Sequence, residues 1–426
     1  MQKIIYKNEK LGENYTEATH PSGLKIYLCK REKFTTSYAV FGTKYGSVDS
    51  LFKLDDETDF TKVPDGIAHF LEHKLFEQED GSDVSDLFSK TGAMSNAFTS
   101  FDRTSYLFSC SENLSENLAI LLDFVQQPYF TEKSVEKEQG IIAQEIEMYN
   151  DISGWRVFFN LLQAMYHNHS VRIDIAGTVE SIGKIDHNLL YKCYETFYNP
   201  KNMYICIAGN INVDEILTQI NDAIKLADGK NIIRGEYDEP NEIAQTKIQQ
   251  ELAVATPIFA LGYKERTDVD YNSLKARVMT DIILEIIFGE TSNLYNKLLN
   301  DGLINDNFSF SYFCGDGYGA CLIDGESKDV ELVQKLINAE IAAVKSAGLN
   351  EDDALMIKRK LYGGAIRAFN SNERIASMLT DSYINNENMF DAIEIYDKIT
   401  PEDLSKRLSE ILNVDNSSIS IINPVK

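Results

Sequence analysis

Residues 66–77 read GIAHFLEHKLFE: two histidines four positions apart, a glutamate directly before the second, and an otherwise apolar run around them. On a helix, positions 69, 72, 73 and 76 share one face. His69, Glu72 and His73 therefore project together, while Ile67, Phe70, Leu71 and Leu75 cover the other directions. Apart from that cluster and Lys74 the segment is apolar all round, which marks a helix of the protein interior. Unpaired polar groups cost several kcal/mol there, so the three together need a partner.

A metal ion supplies one. Histidines at i and i+4 can bind a single Zn²⁺ at about 2.0–2.1 Å, and the carboxylate one residue before the second can take a proton from water that the metal acidifies. Such a site needs a third protein ligand. Further on, the stretch VEKEQGIIAQEIEMY carries a heptad-like stripe at positions 135, 138, 142, 145 and 149, reading Val, Glu, Ile, Glu, Tyr. Glu138 and Glu145 thus fall on a face that should be core, where an acid is rarely left unpaired. Glu132, Glu136 and Glu147 fit a solvated helix face.

The rest of the chain bounds the reading. At 426 residues it exceeds one ordinary hydrophobic core, and 43% apolar residues make it globular. A formal charge of −25 argues against nucleic acid or an anionic membrane as partner. No run has the length of a membrane span, so a cytoplasmic location is expected. The six cysteines show no CxxC spacing and read as reduced core residues. The order of strand-like and helix-like segments runs twice, from SYAVFGTKYG to NMYICIAGNI and again from IFALGYKE to SISIINP. This predicts an α+β protein of two similar α/β domains, 1–228 and 247–426, joined by a polar linker over 229–246.

HxxEH followed by Glu-x6-Glu in a later helix resembles the pitrilysin/insulinase family of zinc peptidases, the inverzincins. The resemblance implies one Zn²⁺ per chain held by His69, His73 and Glu145, with Glu72 as catalytic base and Glu138 orienting a ligand imidazole. Glu147 is the alternative ligand, because His73 and Glu145 are closer in sequence than the family pattern has them. SNAFTSFDRTSYLF resembles the family's substrate-binding edge strand, so Asn96, Ala97 and Phe98 would bind peptide backbone. HSVRIDIAGTVESI and FYNPKNMYICIAGNI resemble further segments of the family, which builds antiparallel-rich sheets covered by helices into half of a clamshell chamber. The implied activity is zinc-dependent endopeptidase action on short or unfolded peptides, leader or precursor peptides among them.

Two other classes compete. A non-hydrolytic scaffold subunit would lack the metal-site residues, and a closed zinc module would need a fourth ligand, for which His167 or His169 are candidates. The family also places an Arg and a Tyr from the second domain of a subunit, or of its partner, beside the substrate. Here the corresponding segment, Leu299 to Asn307, has neither, and no arginine lies between Arg277 and Arg359. The expectation is a heterodimer with a homologous chain that supplies the pair. Otherwise a homodimer would use donors such as Asn305, Asn307 or Tyr312.

Overall fold

The computed structural model describes residues 1–226 and 229–425. Position 228, the expected end of the first domain, lies outside the described residues. Two compact units form, and each is assembled from both halves of the chain.

The first unit contains a seven-stranded sheet in the order Gln2–Asn8, Glu13–Thr19, Lys25–Lys30, Met203–Gly209, Ser37–Thr43, Thr104–Cys110 and Met94–Thr99. Neighbours are antiparallel except Lys25–Lys30 with Met203–Gly209. Burial follows position in the sheet. Central Met203–Gly209 is buried at every residue, as its unbroken apolar run requires, whereas terminal Met94–Thr99 alternates between exposed and half-buried. The second unit repeats the last five places of that order: Lys247–Leu252, Ser417–Pro424, Ile258–Lys264, Tyr318–Glu326 and Ser309–Gly315, again with its first pair parallel.

The helices account for the crossing between halves. The stretch 132–166 holds two helices, Glu132–Asp151 and Ser153–Met165, separated by Ile152 in extended conformation. Asn150, Asp151, Ser153 and Gly154 around the break are weak helix formers. Ser153–Met165 packs on Ser417–Pro424 and Ile258–Lys264 in the second unit. Close approach is possible because of Gly262, where a Cβ would meet Met165 Sδ at 2.4 Å. Reciprocally, Asn372–Asn385 packs on Met203–Gly209 and Ser37–Thr43 in the first unit. It is held there by Arg103 Nη1 donating to Asp381 Oδ1 at 2.6 Å, and Arg31 Nη2 donates to the nearby Phe369 carbonyl at 2.7 Å.

The 229–246 segment is fastened rather than loose. Ile232–Arg234 pairs with Leu51–Leu54. Glu239 accepts from the amides of His167, Asn168 and His169 and from Lys264 Nζ. Among the described residues no helix is long and apolar enough to cross a membrane.

Candidate metal centre

The helix that carries HxxEH spans Ile67–Phe76 and is buried along most of its length. Its first turn is fixed by two glycines. Gly66 has φ +90°, and a Cβ there would lie 2.4 Å from the Ala176 carbonyl; Gly177 has φ +74°, and a Cβ there would lie 2.5 Å from the Asp65 carbonyl. Ser181 Oγ donates to that same carbonyl at 2.8 Å, which ties the short helix Val179–Ile182 to the helix start. Lys74, the polar residue outside the cluster, is fully buried and pairs with Glu77.

The second contributing helix, Glu132–Asp151, buries Val135, Glu138, Ile142 and Ile146, with Glu145 half-buried beside them. This brings Glu145 to His69 and His73, and ligand atoms of the three residues lie within 4.8 Å of one another. Glu145 Oε1 is 3.8 Å from His69 Nε2, and Oε2 is 3.4 Å from His73 Nε2. An ion about 2.1 Å from each of three tetrahedral donors would hold those donors roughly 3.4 Å apart, so the set fits zinc. Glu147, the alternative ligand, is exposed. Glu138 Oε1 stands 3.1 Å from His73 Nδ1, the ring nitrogen turned away from Glu145.

Burial, with His73 close by, pulls His69 down to about 3 and keeps it a neutral imidazole, the form that binds metal. Burial also pulls on His73, but the Glu138 hydrogen bond and the charges of Glu145 and Glu72 outweigh it and raise its pKa. Burial raises Glu72 as well, opposed by a hydrogen bond from the Thr99 hydroxyl, which donates to Glu72 Oε2 at 2.6 Å. Thr99 is a residue that the sequence reading passed over. Its one sequence signal is period two: Thr99 shares a strand face with Ala97.

Asn96, Ala97 and Phe98 lie on Met94–Thr99, whose other long edge has no strand partner among the described residues. The Ala97 amide donates to its neighbour Asn96 Oδ1 at 2.9 Å, so it points to the open edge and not to the paired strand. A cleft of about 430 Å³ lies between this edge and the two helices, lined by Glu72, His73, Asn96, Ala97, Glu138 and Ile141. The two histidines considered as a fourth ligand belong to the second unit. His169 uses both ring nitrogens there: Nε2 donates to the Asp316 carbonyl at 3.0 Å and Nδ1 accepts from the Val171 amide at 3.0 Å. His167 is exposed.

A two-histidine, one-glutamate donor set on an HxxEH helix, inside a helix-covered α/β unit, has the donor chemistry of a zinc peptidase centre. Family models agree along the chain: "Insulinase (Peptidase family M16)" matches residues 61–179, and "Peptidase M16 inactive domain" matches 184–361. The chain belongs to the M16 family of peptidases. It is 40% identical to the Bacillus subtilis protein named uncharacterized zinc protease YmfH, over 98% of both chains. An M16-like peptidase from Alicyclobacillus acidocaldarius superimposes with a TM-score of 0.92 at 35% identity, covering 96% of this chain and 98% of that one. A protease from Helicobacter pylori shares the fold at 20% identity and a TM-score of 0.84, covering 97% of this chain and 100% of the other.

Proposed function

We propose that this chain is a zinc-dependent endopeptidase that cleaves short or unfolded peptides, leader or precursor segments among them, and is the catalytic subunit of a heterodimer. The observation that carries the reading is the convergence of His69, His73 and Glu145 with Glu72 beside them, on the cleft side of an open strand edge. When bound, zinc supplies Lewis acidity toward the scissile carbonyl and acidifies water. The chain's own groups do the rest. His69, His73 and Glu145 hold the metal, and Glu138 fixes the His73 ring. The edge at Asn96, Ala97 and Phe98 takes the peptide as an added strand through backbone hydrogen bonds, which gives affinity with little demand on side chains. Glu72 accepts the proton of the attacking water and returns it to the leaving amine. Its burial favours the protonated form it must adopt between the two transfers.

The heterodimer part rests on the second unit. Asn305 and Asn307 both donate to Glu326, at 2.9 and 3.0 Å, and Tyr312 donates to the Tyr271 carbonyl at 2.7 Å. The donors that could replace the missing Arg and Tyr already have acceptors within the chain. All six cysteines are free and five are buried, which suits the reducing cytoplasm.

The test uses the zinc-loaded chain and an unstructured peptide, alone and with co-encoded homologues. The parental protein should carry one zinc and cleave, and Glu72→Gln should keep the zinc while losing roughly 10²- to 10⁴-fold in rate. A Glu72→Gln variant as fast as the parent would remove Glu72 as the base.

A further inference from the structure

We propose that Thr99 is a positioning residue for Glu72: its hydroxyl holds one oxygen of the base and ties that base to the strand edge on which the peptide is laid. The inference rests on reading Glu72 as the base. The Thr99 Oγ1 to Glu72 Oε2 separation of 2.6 Å is in the range of a hydroxyl donating to an ionised carboxylate.

Toward an ionised carboxylate Thr99 can only donate, and the neighbouring hydroxyl of Thr104 is a second acceptor for the same hydrogen. Thr104 is fully buried, pairs with Thr99 across the strands, and donates to the Tyr45 carbonyl at 2.9 Å. Its hydrogen is committed, so across the 3.3 Å contact between the two hydroxyls Thr104 can only accept, and it is the more distant, neutral acceptor beside the carboxylate at 2.6 Å. The single Thr99 hydrogen therefore goes to the nearer and charged acceptor, the carboxylate of a buried Glu72.

Without that bond the Glu72 carboxylate keeps only the weaker contribution of the Thr99 backbone and gains freedom along the broad, two-fold minimum of its terminal torsion. With Oε2 fixed, the place of the other oxygen is determined. Thr99 also shares a strand face with Ala97, whose amide points to the open edge. A peptide that adds to this edge orders the strand, and through Thr99 it orders the base.

Two measurements test this. Kinetics of zinc-loaded Thr99→Val, in the assembly that cleaves, should show kcat reduced roughly 10- to 100-fold with KM and zinc content near parental values. Thr99→Ser should restore most of the rate, since it keeps the hydroxyl and loses only the methyl. Parental kcat in Thr99→Val, a loss confined to KM, or Thr99→Ser as slow as Thr99→Val would each overturn the proposal.

The second measurement needs no activity. The drop in unfolding temperature caused by Thr99→Val should shrink when Glu72 is already Ala, because the bond is gone in both. Equal drops in the two backgrounds would overturn it, and this readout also decides the matter if Thr99→Val misassembles with a partner. Coupling without any peptide cleavage by the parental protein would sink the peptidase reading and leave the Thr99–Glu72 link standing.

Discussion

His73 Nδ1 lies 3.1 Å from Glu138 Oε1, whereas the corresponding nitrogen of His69 is buried with no hydrogen-bond partner among the described residues. The two imidazoles are therefore held differently: Nδ1 of His73 faces a carboxylate, and Nδ1 of His69 has no such partner among the described residues. A carboxylate behind a metal-bound imidazole raises its basicity and fixes its tautomer. Glu138→Gln should weaken zinc binding roughly 10- to 100-fold. Zinc retention during titration with a chelator measures this, and parental retention would show that Glu138 leaves the metal untouched.

Glu145 and Glu147 are two residues apart and face different surroundings. Glu145 oxygens stand 3.8 and 3.4 Å from the two ring nitrogens, while Glu147 is exposed. Glu145→Gln removes the carboxylate that the proposed site would offer the metal and should leave less than one zinc per chain after dialysis. Glu147→Gln should dialyse like the parent. Metal analysis of both variants ranks them, and zinc loss in Glu147→Gln alone would transfer the ligand role.

His169 gives a pH dependence unrelated to the metal. It is 2% exposed, and burial holds its pKa below the usual value against the opposing hydrogen bond to the Asp316 carbonyl. The unfolded chain protonates it near about 6.5, so between that value and the lower folded one the unfolded state binds more protons. Stability should fall as pH drops below about 6.5 and level off below the folded pKa. Denaturant midpoints at neutral and acid pH, taken on metal-free parental and His169→Gln proteins, isolate the effect. The variant should be less stable at neutral pH by about 1–3 kcal/mol, from lost hydrogen bonds, with a smaller acid decline. An unchanged decline would assign the proton uptake elsewhere.

How far these features can be read from sequence depends on whether they are local. The face shared by His69, Glu72 and His73 follows from helical spacing alone, and Glu138 and Glu145 stand out as acids on an apolar stripe. The repeated strand order was legible because each copy is a run of strong local patterns. The exchange of Ser153–Met165 for Asn372–Asn385 was not, since an apolar stripe declares that it must be buried and not which sheet will bury it. The break at Ile152 has the same origin: helical periodicity continues on either side of a residue that turns the chain. Thr99 was hidden for another reason. Its hydrogen bond to Glu72 joins a strand to a helix 27 residues earlier, and neither periodicity records that pairing.

The last prediction concerns what this chain needs from another. In the resembling family an Arg and a Tyr bind the substrate backbone beside the metal, and the segment Leu299 to Asn307 has neither. The amides of Asn305 and Asn307 each commit one of their two hydrogens to the Glu326 carboxylate, which fixes the direction in which the other can point. Donors placed for developing charge in a transition state are worth on the order of 2.7–4 kcal/mol each, or about 10²–10³ in rate. The purified chain should therefore bind one zinc and cleave peptides slowly. Adding a homologous chain that lacks HxxEH and carries the Arg and Tyr should raise kcat by roughly 10²-fold or more. Substituting that Arg in the added chain should cancel the gain while complex formation, followed by size-exclusion chromatography, persists. Full activity of the chain alone, with no response to any such homologue, would mean that a homodimer or monomer supplies its own donors and that the heterodimer reading is wrong.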